Sequence, residues 1–199
     1  MERDILTAEL CVESYREKSD TFVDRGDLRY AVVDNNGVTD VVFRGSANLM
    51  NWRRNFRALP SIAPCGHIAH LGFAQPVKTL REEITRALEG KEVVRFGGHS
   101  FGAAIARGFA QIIPSTAVTF GGPRYYWRWS KVNPVPHRRY VADDDPVPMV
   151  PHFLYEHVEY PIVLPDKDGV HLDWDDHDMA KVYLARLREH VRRAPHSVA

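Results

Sequence analysis

The spacing of apolar residues predicts a chain in which strands and helices alternate. Short runs rich in β-branched and aromatic residues predict strands at residues 28–33, 38–43, 93–96, 117–120, 140–142 and 158–164. Segments with apolar positions every three or four residues, or with many small residues, predict helices at 5–18, 73–89, 101–113 and 176–191. Thr7 is a candidate cap of the first helix, and Gly90 and Pro114 follow the second and third.

The first two predicted strands form a hairpin. Asp34-Asn35-Asn36-Gly37 separates them, and Asn-Gly favours the positive φ angles of a tight turn. Beyond the hairpin, strands alternate with helices, which is typical of parallel strands joined by helical crossovers. The 199 residues suit one compact domain. We therefore expect a single-domain α/β protein whose mixed, mainly parallel sheet is flanked by helices.

Composition narrows the classes of partner. Apolar residues make up 44% of the chain, enough for a sizeable core. Lys and Arg number 26, as do Asp and Glu, so the net charge is zero and no global field attracts nucleic acid. No apolar run approaches the roughly 18 residues of a membrane span. The charged start Met1-Glu2-Arg3-Asp4 shows no signal peptide, so we expect a cytoplasmic protein, with secretion by another route left open.

Two cysteines are too few for a disulfide-built scaffold. The separation of 54 positions between Cys11 and Cys65 permits a bridge, but a cytoplasmic location favours free thiols. The sequence leaves their pairing and the oligomeric state open.

The most informative segment contains Gly98-His99-Ser100-Phe101-Gly102. This is a G-x-S-x-G motif between an apolar strand and a small-residue helix, the context that exposes a nucleophilic serine in α/β-hydrolases. The outer glycines suit a sharp turn, because side chains there would collide with neighbouring backbone. Glycine-rich turns also join strands to helices in non-catalytic proteins, so a catalytic serine needs partners elsewhere in the chain.

An activated serine needs a base and an acid that orients the base, in the chain order Ser, acid, His in α/β-hydrolases. Asp145 is the candidate acid because it directly precedes Pro146, which fixes the turn. Asp143 and Asp144 individually suit a solvated turn or a cation site better. His177 is the candidate base because its polar segment leads into the last helix. Its main rival is His157, and the other downstream histidines are His137, His152, His171, His190 and His196.

Three segments resemble metal sites only weakly. Cys65-x-His67-x-x-His70 has no second matching pair of ligands. Residues 173–178 lack the compact spacing of zinc ligands, and Asp166-x-Asp168-Gly169 does not complete a calcium-binding loop. We therefore expect no metal and no organic cofactor, since a serine triad requires neither.

Taken together, these residues resemble the class 3 (fungal-type) lipase family of the α/β-hydrolase superfamily, over residues 5–185. The sharp strand-to-helix turn at Ser100, called the nucleophile elbow, matches the family's nucleophile. His177 matches the family's final catalytic histidine. The other matching motifs are Phe43-Arg44-Gly45-Ser46, His70-Leu71-Gly72-Phe73, Phe120-Gly121-Gly122-Pro123-Arg124 and Asp145-Pro146-Val147-Pro148. The chain departs from the family at Phe101, where leucine is usual. The segment at 155–157 is shorter than in the family, which affects the expected shape of the acyl pocket more than the triad.

The resemblance implies further site residues. The backbone N–H groups of Ser46 and Phe101 would form the oxyanion hole, and the Ser46 hydroxyl would be a third donor, a helix cap or both. Residues 46–60 would form a lid, although a surface helix packed on the core would show the same amphipathic pattern. We hypothesise that three arginines of this lid favour anionic interfaces or acidic esters: Arg53, Arg54 and Arg57.

The sequence thus predicts a serine ester hydrolase. Ser100 attacks the ester carbonyl, His177 accepts and returns the proton, Asp145 orients the imidazole, and water cleaves the acyl-enzyme. Carboxylic esters of lipids are the expected substrates, reached through transient contact with a lipid interface. The alternatives are a phospholipase A1-type enzyme, an acyltransferase that excludes water, and a catalytically inactive lipase-like binding protein.

Overall fold

The structure is a computed structural model that describes residues 1–46, 59–166 and 174–193. The helices are α1 (Glu2–Glu13), α2 (Leu71–Ala87), α3 (Phe101–Ala110) and α4 (Ala185–Arg193). The strands are β1 (Val23–Arg25), β2 (Leu28–Asn35), β3 (Val38–Phe43), β4 (Pro60–Ile62), β5 (Ile68–His70), β6 (Val94–His99), β7 (Thr116–Phe120), β8 (Tyr126–Trp127), β9 (His137–Ala142), β10 (Tyr155–Glu156) and β11 (Pro161–Leu164). Short 3₁₀ turns span Val147–Met149 and Asp175–His177, and a π-helix spans Met179–Leu184.

The main sheet is mixed and mainly parallel, as the sequence predicted. Its seven strands follow the order β1-β2-β3-β6-β7-β9-β11. The first three pair antiparallel, and every pairing from β3 to β11 is parallel. The carboxyl ends of β3, β6, β7 and β9 therefore meet at one edge of the sheet, where ligands bind in open α/β sheets.

The predicted hairpin is confirmed. Asn35 pairs with Val38 across the turn, and both connecting residues have positive φ, 49° at Asn36 and 76° at Gly37. These angles are those of a two-residue turn whose twist matches that of the flanking strands.

Helices cover both faces of the sheet. Successive residues of β3 point to opposite sides, so Val42 joins one core cluster while Val41 and Phe43 join the other. On the Val42 side the sheet packs against α1 and the segment 179–193. On the other side it packs against α2 and α3. The nucleophile elbow lies between these two layers, at the end of β6.

Three details of the sequence prediction are wrong. The first helix ends at Glu13, and Thr7 does not cap it: Met1 is the N-cap, whereas the buried Thr7 hydroxyl bonds to Asp40 Oδ1 at 3.2 Å. The predicted helix over 176–191 is divided into a 3₁₀ turn, a π-helix and α4. A second sheet, in the order β10-β8-β5-β4, was not predicted. Its strands have two or three residues, too few to show a period of two.

Both cysteines are free thiols: Cys11 is a buried residue of α1, and Cys65 is partly exposed. Within the described ranges, no helix has the length and apolar character needed to cross a membrane.

Candidate active site

Ser100 lies at a strained strand-to-helix turn between β6 and α3. Its φ of 57° and ψ of −125° are rarely adopted by residues other than glycine. A Cβ at Gly98 would collide with the backbone of Gly102, and a Cβ at Gly102 would collide with the carbonyl of Phe43. The two glycines of the motif are therefore required by the turn, which confirms the steric reason given for their spacing.

The structure brings Asp145 and His177 into contact. Asp145 follows β9, and His177 ends the 3₁₀ turn Asp175–His177. The His177 Nδ1–H group donates to Asp145 Oδ2 at 2.6 Å, and both side chains are buried. The other carboxylate oxygen, Asp145 Oδ1, accepts from the Val147 N–H at 2.8 Å, so the proline turn holds one oxygen of the carboxylate and His177 contacts the other.

Tyr183 is a third member of this buried group. Its hydroxyl donates to Asp145 Oδ2 at 2.5 Å and accepts from the Ala142 N–H at 3.2 Å. Burial, reinforced by the nearby Asp145, raises the pKa of Tyr183 well above its usual value, so the hydroxyl stays protonated as a donor. Gly121 leaves room for the group, because a Cβ there would lie 2.9 Å from each of Asp145, His177 and Tyr183. Sequence reasoning assigned Tyr183 no role at the site, and no motif marks it.

We expect Tyr183→Phe to lower kcat by about tenfold or more, since a hydrogen bond to a charged group contributes about 1.5–3 kcal/mol. Asp145 would lose one of the donors that hold it, while its contact with His177 would remain. Steady-state kinetics on a p-nitrophenyl ester measure the effect. Tyr160→Phe is the matched control, since Tyr160 is exposed. A native kcat in Tyr183→Phe would show that the Asp145–His177 contact is sufficient without the tyrosine.

Ser100 and His177 line the same cavity, which has a volume of 390 Å³. Since His177 Nδ1 faces Asp145, Nε2 is the nitrogen available to a nucleophile. It is buried and makes no hydrogen bond to any described residue, so a Ser100–His177 hydrogen bond is not formed in this structure. Catalytic hydrogen bonds are often long before the substrate complex forms and tighten in it.

A second imidazole lies beside His177. The rings of His99 and His177 are 4.4 Å apart between centroids, and His99 Nδ1 is 2.8 Å from the Tyr15 hydroxyl. Burial, and secondarily the nearness of His177, lowers the pKa of His99 well below its usual value. His99 is therefore neutral and places no second positive charge beside His177. Sequence reasoning missed Tyr15, because only the packing of the segment after α1 places it against the elbow.

Of the two residues predicted for the oxyanion hole, Ser46 lies at the cavity and Phe101 lies at the elbow, directly after Ser100. Ser46 follows β3 and lines the cavity, and Gly45 beside it packs against the backbone of His99 and the Cβ of Ser100. Phe101 is the first residue of α3, and N–H groups in the first turn of a helix have no partner within the helix. Of the predicted lid over 46–60, residues 47–58 lie outside the described residues.

The rival histidines serve other contacts. His157 Nε2 lies 2.8 Å from the Pro148 carbonyl, and burial lowers the pKa of His157 to about 3. His137 bridges Glu159 and Thr119 at 3.1 and 2.7 Å. His171 and His196 lie outside the described residues.

The structure also places His70 and Asp144, which the sequence left open to other roles. His70 Nδ1 accepts from the Gly72 N–H at 3.1 Å and so caps α2. In the described part of the chain, no group of three or more His, Cys, Asp or Glu side chains is arranged to hold a metal ion. The interpretation of Asp144 as part of a solvated turn is wrong: the residue is buried and paired with Arg186 at 2.7 Å.

The mainly parallel sheet, the strained serine elbow and the buried Asp–His pair define a serine hydrolase of the α/β-hydrolase fold. The class 3 lipase family, compared as a sequence profile, matches residues 40–155. That is more than half of the chain, and the chain belongs to the class 3 lipase family, a family of enzymes that act on ester bonds. The resemblance proposed from the motifs is thus confirmed.

Solved structures support the fold. The Rhizomucor miehei triacylglyceride lipase superposes with a TM-score of 0.70 at 20% identity, covering 83% of this chain and 80% of its own. The Penicillium cyclopium protein MDLA, as its N225Q mutant, gives 0.69 at 19% identity, covering 88% and 83%. A triacylglycerol lipase whose catalytic centre is a serine protease triad gives 0.66 at 20% identity, covering 83% and 80%. None of the curated proteins compared matches the sequence significantly.

Proposed function

We propose that this class 3 lipase cleaves carboxylic esters of lipids through an acyl-enzyme on Ser100. The observation that carries the proposal is the 2.6 Å contact between His177 Nδ1 and Asp145. It leaves Nε2 as the free nitrogen of a ring that lines the same cavity as the strained serine.

Each group has a defined part in this reaction. His177 Nε2 accepts the Ser100 hydroxyl proton as Oγ attacks the carbonyl carbon, and it returns the proton to the leaving alcohol. Asp145 holds the imidazole in the tautomer with its proton on Nδ1 and stabilises the imidazolium that forms. Water, activated by the same nitrogen, then releases the acid from Ser100.

The negative charge that develops on the carbonyl oxygen requires preorganised donors. We assign this role to the backbone N–H groups of Ser46 and Phe101, which follow β3 and begin α3 beside the nucleophile. Losing one such donor typically costs about 2.7–4 kcal/mol of activation free energy.

The lining of the cavity supports an acyl substrate. Val12, Met179 and Ala180 contribute apolar side chains next to Ser100, and Tyr15 adds an aromatic ring. Such a surface favours a hydrocarbon chain over a polar one, because burying polar groups without partners is costly. Among the structural relatives, two are described as lipases of triacylglycerides or triacylglycerols. We propose lipid esters as the substrate class and a transient encounter with a lipid surface.

A substrate panel tests the proposal. We expect the native protein to hydrolyse p-nitrophenyl esters of increasing chain length and to release fatty acid from emulsified acylglycerol. Rates are measured below and above the concentration at which the ester forms micelles, and products are analysed with an added alcohol. Free acid as the main product supports a hydrolase, whereas transfer of the acyl group to the alcohol would identify an acyltransferase. Folded protein that turns over no ester would favour an inactive binding protein.

A further inference from the structure

One arginine links the two turns that carry the candidate acid and base. Arg186 lies in the first turn of α4. Its guanidinium donates to both carboxylate oxygens of Asp144, at 2.8 and 2.7 Å. The same group lies 3.8 Å from the carboxylate of Asp176. Asp144 directly precedes Asp145, and Asp176 directly precedes His177.

Two more carboxylates share this cation. Arg186 lies 3.3 Å from Asp143 and 3.2 Å from Asp166, and the Asp166 N–H donates to Asp143 at 2.9 Å. Four carboxylates from three separate segments therefore converge on one positive charge. The hydrogen bonds to Asp144 raise the pKa of Arg186, as a strongly paired guanidinium requires.

The arginine and Tyr183 act from the same stretch of chain. Tyr183 donates a hydrogen bond to Asp145, and Arg186, three residues after Tyr183, donates to Asp144. The acid turn is thus held at two consecutive residues by one helical segment, and the arginine extends the contact to the histidine turn. Arg186 does not line the cavity that contains Ser100, so it does not touch a substrate there.

We propose that Arg186 is a positioning residue that sets the placement of Asp145 relative to His177. This inference rests on the proposed function, because it concerns the same acid and base. Without the guanidinium, Asp144 would be a buried charge that has lost the cation paired with it among the described residues, and the neighbouring carboxylates would repel one another. The two turns would separate, and the 2.6 Å contact would lengthen.

Arg186→Ala and chemical rescue test the proposal. We expect kcat to fall about 100-fold with little change in KM, since a misplacement of about 1 Å away from the chemistry has effects of that size. Guanidinium chloride, at concentrations below those that unfold the protein, should restore part of kcat, whereas sodium chloride at equal ionic strength should not. Arg186→Lys should be intermediate, because it keeps the charge and loses the bidentate geometry. Arg188→Ala is the matched control. Arg188 lies on α4 like Arg186, and its exposed side chain pairs with Glu9 of α1.

A second readout does not depend on catalysis. The low-field proton resonance of the His177 Nδ1–H, assigned by its loss in Asp145→Asn, reports the contact directly. We expect it in the native protein and in Arg188→Ala, and we expect its loss in Arg186→Ala. If Arg186→Ala does not fold, Asp144→Asn/Arg186→Gln, which removes both charges of the pair, is measured instead. Smaller losses in the same direction are expected, because Asp143, Asp166 and Asp176 still lose their shared cation.

The outcomes separate the two proposals. The positioning role is overturned if an Arg186 variant folds, keeps the native kcat and shows an unchanged His177 resonance. It is also overturned if the substitution only lowers the amount of folded protein, while each folded molecule keeps the native kcat. A native protein without ester hydrolysis overturns the proposed function, and the resonance then still decides whether Arg186 sets the Asp145–His177 contact.

Discussion

Ser100→Ala is expected to abolish ester hydrolysis, lowering kcat by about 10⁶-fold, the size of effect found when a triad nucleophile is removed. Alanine keeps the Cβ of serine, so the backbone at φ 57° is no more strained in the variant than in the native protein. Only the attacking oxygen is lost. The free energy of unfolding should therefore be nearly unchanged.

Two measurements check this result. Hydrolysis of a p-nitrophenyl ester gives kcat, and a fluorophosphonate probe reports covalent reaction at the serine. We expect the native protein to react with the probe and Ser100→Ala not to react. The control Ser115→Ala, which changes the serine directly before β7, should react like the native protein. Labelling that persists in Ser100→Ala would locate the nucleophile elsewhere, and an unlabelled native protein would support an inactive binding protein.

Asp145→Asn should lower kcat by about 10⁴-fold, the effect of the same change in a serine-protease triad. The carboxylate accepts from His177 Nδ1–H at 2.6 Å and from the Val147 N–H at 2.8 Å. An asparagine that keeps its oxygen on the Val147 N–H presents its NH₂ group to Nδ1. The imidazole proton then moves to Nε2, which can no longer accept the proton of Ser100.

The kinetic pattern distinguishes this mechanism from a loss of fold. We expect KM to change little and probe labelling to slow in parallel with kcat, because both require the same proton transfer. Asp24→Asn, a substitution of an exposed aspartate on β1, is the control. A native kcat in Asp145→Asn would show that another group orients His177.

Most of the fold was predicted from patterns among residues that are close in sequence. The hairpin turn, the glycines around Ser100 and the alternation of strands with helices each depend on residues close in sequence, and each is present in the structure. The second sheet was missed because its strands have only two or three residues, and because the pairings of β5 with β8 and of β8 with β10 join strands that are distant along the chain. The interruption of the last helix by a π-helix was missed because its apolar spacing resembles that of a regular helix.

By itself, the sequence determined the α/β class, the elbow at Ser100 and the membership in the class 3 lipase family, since local spacing and ordered motifs carry that information. Only the tertiary structure decided that His177, rather than His157, lies against Asp145. It also decided that Asp144 is buried against Arg186 and that Tyr183 bonds to the acid. Those contacts join residues 32 to 42 positions apart. They arise only when the segment 174–193 packs on the sheet, an outcome of burial across the whole domain.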